Sequence, residues 1–168
     1  MRFKTLFLAI ALLFVAGTTF AQMNNPFAAF LGNFEMKLTK AEPALPAEAM
    51  NGIQKGVMKA TPDNTGMIIT WNGMGPDGKP YENYELWYAD KDSKKIYGIN
   101  TEGGRVVRME GDISADGKTL TFTGSYPSSP KETYKMEVKM MGNMVSFKNT
   151  IMMDGKQVQY MEGKSVNK

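Results

Sequence analysis

From Asn33 to the C-terminus, apolar and polar side chains alternate in short runs, and turn signals break them every 10 to 14 residues. Phe34, Met36 and Leu38 face one way and Glu35, Lys37 and Thr39 the other, the two-residue period of a half-buried strand over residues 33–40. Ile68, Ile69 and Trp71 give residues 66–72 the β-branched and aromatic content of a strand. In residues 81–89, Tyr84, Leu86 and Tyr88 alternate with Asn83, Glu85 and Trp87. Leu120 and Phe122 alternate with Thr119, Thr121 and Thr123; further on, Tyr134, Met136, Val138 and Met140 alternate with Lys135, Glu137 and Lys139. Strands are also expected over 95–101, 105–112, 144–151 and 156–165.

The punctuation is as informative as the strands. Asp77-Gly78, Gly103-Gly104, Asp116-Gly117, Gly142-Asn143 and Asp154-Gly155 are turn dipeptides, and residues 126–130 form a proline-containing loop. Residues 41–49, with Pro43 and Pro46, read as a loop or strap. Residues 50–60 have helical spacing at Met50, Ile53 and Val57, but Gly52 and Gly56 would each cost a helix about 1 kcal/mol, so a strand is expected. Asn25 can cap a short helical turn with Pro26 at its first position, and Phe27, Phe30 and Leu31 can then plug one end of the fold. Short connections join antiparallel neighbours, and no helical segment between strands is long enough for a parallel crossover. The expectation is an all-β fold: an antiparallel up-and-down β-barrel of about 8 to 10 strands with a short N-terminal helical turn.

Composition changes the picture at the N-terminus. Arg2 and Lys4 precede an apolar run over residues 6–16, and Thr19-Phe20-Ala21 places small residues at −3 and −1. This is the pattern of a cleaved signal peptide over 1–21, with a barrel domain over 22–168. Eleven apolar residues fall short of the roughly 20 needed to span a bilayer, so no stable membrane insertion is expected after cleavage. Export to the periplasm or beyond follows. Without Arg2 and Lys4 the charge falls from +3 to +1, with 18 basic against 17 acidic side chains. A nearly neutral surface without basic blocks argues against a nucleic-acid partner. A monomer is expected. The chain has no cysteine and no histidine, which removes disulfides, thiol chemistry and the usual general base and metal ligand. Glu82 and Glu85 lie three apart on a strand, hence on opposite faces, and form no two-carboxylate site. No cofactor and no catalysis are expected.

The stretch Phe30-Leu31-Gly32-Asn33-Phe34 resembles the Gly-x-Trp opening of lipocalin-like chains, with Phe34 in place of tryptophan. Gly78-Lys79-Pro80-Tyr81-Glu82, Tyr88, Lys95-Ile96-Tyr97, Gly111-Asp112-Ile113, Gly117-Lys118-Thr119-Leu120 and Gly124 are similar to a bacterial family of exported lipocalin-like (calycin-type) domains of unknown function. The resemblance implies a closed barrel with an interior cavity for a small hydrophobic ligand. On strand alternation, the candidate lining is Trp71, Tyr84, Leu86, Tyr88, Phe122, Tyr134, Met136, Val138, Met140 and Phe147. The same aromatic residues can instead fill a solid barrel, a structural or protein-interaction module of the cell envelope. The expected mature chain also carries 14 methionines. These serve as core filler, as an adaptable pocket lining, or as thioether ligands for Cu(I), with Met140, Met141, Met144, Met152 and Met153 grouped in sequence. Arg105 and Arg108 are the only arginines after residue 21; a buried arginine could hold a ligand carboxylate, but Arg108 shares a strand face with Glu110, so an exposed ion pair is expected.

Overall fold

The computed structural model describes residues 25–74, 79–102 and 104–167. The expected signal peptide and the Asp77-Gly78 turn lie outside the described residues. Ten strands form: β1 Gly32–Glu42, β2 Gln54–Ala60, β3 Gly66–Met74, β4 Pro80–Asp90, β5 Lys95–Glu102, β6 Arg105–Ile113, β7 Thr119–Tyr126, β8 Ser129–Met141, β9 Met144–Met153 and β10 Lys156–Asn167. Every sequential pair is antiparallel, and β1 pairs with β10 to close the barrel. Closure gives every strand a neighbour on both sides.

Turn chemistry sets the register. Gly142-Asn143 and Asp154-Gly155 are two-residue hairpin turns, as expected, with Gly142 at φ 67°, Gly155 at φ 76° and Asp154 at φ 49°. The proline loop is tighter than expected. Tyr126 pairs with Ser129, so only residues 127 and 128 turn, and Pro130 sits inside β8 where the register shifts. A bulge needs no ladder donor there, so proline is tolerated.

Two local expectations are corrected. Residues 47–51 (Ala47–Asn51) form a short helix, α1, starting after Pro46, so the strand expected from residue 50 begins at Gln54. Ala47, Glu48, Ala49 and Met50 are good helix formers, and Gly52 ends the helix rather than interrupting it. The N-terminal turn is a 3₁₀ helix at Ala28–Phe30, two residues later than the capped start at Pro26. Asn25 still organises it: its Oδ1 accepts from the Phe27 N–H at 2.9 Å, and its Nδ2 donates to the Gly66 carbonyl at 2.9 Å. Phe27 and Phe30 are fully buried and plug that end of the barrel.

The interior is filled unevenly. Around the plug, Ile96, Val107, Met109, Leu120 and Phe122 form a dense core on the β5–β7 side. The Trp87 ring bridges this core, 6.4 Å from Phe27 and 4.9 Å from Phe122 between ring centroids. On the opposite side, glycines let rings lie against the barrel wall. A Cβ on Gly56 would stand 2.5 Å from Phe34 Cζ, and one on Gly163 would stand 2.2 Å from Phe147 Cε1. Phe34 and Phe147 are therefore held against the wall, and space remains between them and the core.

Candidate functional site

That space is a cavity of about 150 Å³. Phe34, Met36 and Leu38 of β1, Gln54 and Met58 of β2, and Ile69 and Trp71 of β3 line one side. Tyr81, Glu85 and Trp87 of β4 and Asn100 of β5 follow. Tyr134, Met136 and Val138 of β8, Val145, Phe147 and Asn149 of β9, and Gln159, Met161 and Ser165 of β10 complete the wall. Strands β6 and β7 contribute no described lining residue. Leu45, in the strap between β1 and α1, also lines the cavity, at the end opposite the Phe27 and Phe30 plug.

A polar network supports the β3–β4–β5 wall. Glu85 Oε1 accepts from the Trp71 indole and Glu85 Oε2 from the Trp87 indole, each at 3.0 Å. The Asn83 side-chain amide donates to Glu85 Oε1 at 3.3 Å and to Asn100 Oδ1 at 2.9 Å, and Thr101 Oγ1 donates to Asn83 Oδ1 at 3.3 Å. Buried indole N–H groups need an acceptor, and one carboxylate supplies it to both tryptophans of the chain. Elsewhere on the wall, Gln54 Oε1 and Asn149 Oδ1 are buried without a hydrogen-bond partner. The Tyr134 hydroxyl donates to Met136 Sδ at 3.6 Å.

Five of the ten sequence-derived lining residues line the cavity: Trp71, Tyr134, Met136, Val138 and Phe147. Five do not. Tyr84, Leu86 and Tyr88 point outward, with Tyr84 50% exposed. Both faces of β4 carry large side chains, and the barrel takes in the one bearing Trp87, whose neighbours Asn83 and Glu85 satisfy each other and the indoles. Tyrosine tolerates the outer face because its hydroxyl reaches water. Phe122 is fully buried on β7 in the solid core, away from the cavity. Met140 is half-buried against the core near the plugged end.

Reading polar residues as external hid Gln54, Glu85, Asn100 and Asn149. A signal for Glu85 was present, since Trp71 and Trp87 fall on one inner face and their two indoles require an acceptor between them. The outward residues form a stripe of their own: Ile68, Leu86 and Ile99 are cross-strand neighbours over β3, β4 and β5, beside stacked Tyr88 and Tyr97 rings 5.4 Å apart.

The methionines grouped in sequence do not form one group in space. Met141 faces Met144 across the β8–β9 turn, whereas Met152 and Met153 lie at the other end of β9, roughly 26 Å away at strand rise. Of the described arginines, Arg105 has a defined partner. Its Nη1 and Nη2 donate to Glu132 Oε1 and Oε2 at 2.9 and 2.6 Å, and its guanidinium carbon lies 3.9 Å over the Tyr126 ring. The pair faces inward beside the cavity without lining it. Hydrogen bonds from Arg105 hold the Glu132 carboxyl below its ordinary value of 4.5 against the opposing effect of burial.

The Glu132 contribution is fully present above about pH 4.5 and is lost as pH falls through its lower folded-state value. Removing one partner of a buried pair costs about 3–5 kcal/mol, and the partial exposure of Arg105 reduces this to about 2 kcal/mol. Arg105→Met should therefore destabilise the protein by about 2 kcal/mol at pH 7, and the deficit should shrink at pH 4 as the stranded carboxyl protonates. Urea melts at the two pH values measure this; an equal deficit at both would contradict the pairing.

Comparison with known proteins finds no family model that matches the chain and no match among the curated proteins.

Proposed function

We propose that this chain is a non-catalytic, exported barrel that binds or carries a small hydrophobic molecule. The observation that supports the reading is the interior cavity of about 150 Å³, walled mainly by aromatic, methionine and aliphatic side chains and adjoining the Leu45 strap. Its size limits the cargo. An apolar protein cavity of about this volume accommodates one benzene ring, whereas sites for drug-sized ligands run to roughly 300–1,000 Å³. The ligand is accordingly compact, on the order of one ring or a short branched chain.

Affinity follows from that size. A molecule of about eight non-hydrogen atoms at roughly 0.7 kcal/mol per atom binds with a Kd on the order of 100 μM. Calorimetric titration with toluene checks this. A saturable one-to-one isotherm in the range of about 10 μM to 1 mM is expected, and no heat of binding up to the solubility limit would count against the reading.

One observation favours a second reading, an interaction module. The outer stripe of Ile68, Leu86 and Ile99 is apolar and each residue is about two-fifths exposed. Sedimentation separates the readings. A carrier stays monomeric, and Leu86→Lys leaves its toluene binding intact. Concentration-dependent self-association abolished by Leu86→Lys would instead assign the stripe the leading role.

A further inference from the structure

The cavity wall is not uniformly apolar, and two of its buried polar atoms are acceptors without a hydrogen-bond partner. Gln54, only 6% exposed, lines the cavity with an Oε1 that has no hydrogen-bond partner. Asn149 lines it from β9 with an Oδ1 in the same condition. Glu85 adds a carboxylate on the β4 side, already accepting from both indoles. Among the described lining residues there is no lysine and no arginine. Arg105, the inward-facing cation, is bound bidentately to Glu132.

We infer that the molecule this cavity takes carries a hydrogen-bond donor, a hydroxyl, amine or amide N–H on a compact apolar body, and that carboxylate-bearing molecules are rejected. The inference rests on the binding reading above and narrows its ligand class. Water inside the cavity can serve both acceptors in the free protein. A ligand that displaces that water must bring donors of its own, or it loses the hydrogen bonds the water made. A carboxylate brings acceptors toward acceptors and a negative charge toward Glu85, with no cation on the wall to compensate. A hydroxyl or amine in the same place satisfies Gln54 or Asn149.

Four probes of one size test this: toluene, benzyl alcohol, benzylamine and benzoate. Each is titrated calorimetrically at pH 7 into the intact barrel and into its Gln54→Leu and Asn149→Leu variants. Benzyl alcohol should bind at least about 10-fold more tightly than benzoate. In at least one variant the affinity of benzyl alcohol relative to toluene should fall about 10-fold, the value of one hydrogen bond. Gln54→Met stands in for Gln54→Leu if circular dichroism shows loss of the barrel. Benzoate binding as tightly as benzyl alcohol, or an unchanged alcohol-to-toluene ratio in both variants, overturns the donor inference while toluene binding keeps the carrier reading intact. Failure of all four probes to saturate the unaltered protein overturns both.

Discussion

Phe122→Ala should remove about 3–5 kcal/mol of stability, the largest single-residue loss expected in this barrel. The ring is fully buried, sits 4.9 Å from Trp87, and belongs to the dense β5–β7 half of the interior. Truncation forfeits the transfer free energy of the ring and leaves a void that closed strands on either side cannot collapse to fill. A domain of this size is stable by about 5–15 kcal/mol, so the melting temperature should drop by roughly 10–15 °C. The loss should be visible at Trp87, whose emission should shift as its packing partner disappears. A loss under about 1 kcal/mol would mean that this half is loosely packed, and that the division between solid core and cavity is wrong.

Val138→Trp should abolish ligand binding with the barrel intact. Val138 is 6% exposed and lines the cavity from β8, next to Phe147 of β9. An indole in place of an isopropyl group projects into the cavity of about 150 Å³. Elsewhere in a close-packed core such a change costs about 1–3 kcal/mol through strain; here it occupies existing space, and cavity filling commonly gains about 0.5–2 kcal/mol. The pair of expected results is an affinity for toluene at least about 100-fold weaker, beyond measurement at the Kd scale above, and a melting temperature equal to or above that of the parent. Retained binding would place the ligand elsewhere. A destabilised variant would mean that the interior near Val138 is already full.

Most of the fold was legible because its signals are local. Paired turn residues such as Gly142-Asn143 and Asp154-Gly155 fix the hairpins, and strict alternation in residues such as Tyr134, Met136 and Val138 fixes which face is buried. The site was half legible for the same reason: β8 has one apolar face and admits one reading. β4 has two. Tyr84, Leu86 and Tyr88 outnumber Trp87, and only the register with β3 and β5 shows that Asn83, Glu85, Asn100 and the two tryptophans complete one another inside. Helix α1 was hidden by length, since its five residues are too few for periodicity to reveal. Gln54 and Asn149 illustrate the general difficulty, because an interior polar residue becomes recognisable only when the wall around it is known.

Methyl NMR of methionine-labelled protein titrated with toluene tests the central claim most directly. Met36, Met58, Met136 and Met161 line the cavity, while Met141 and Met144 sit exposed at the β8–β9 turn. The four interior methyl resonances should shift along one saturable curve while Met141 and Met144 stay still. Interior resonances unmoved at saturating toluene, or shifts confined to exposed methyls, would contradict that claim.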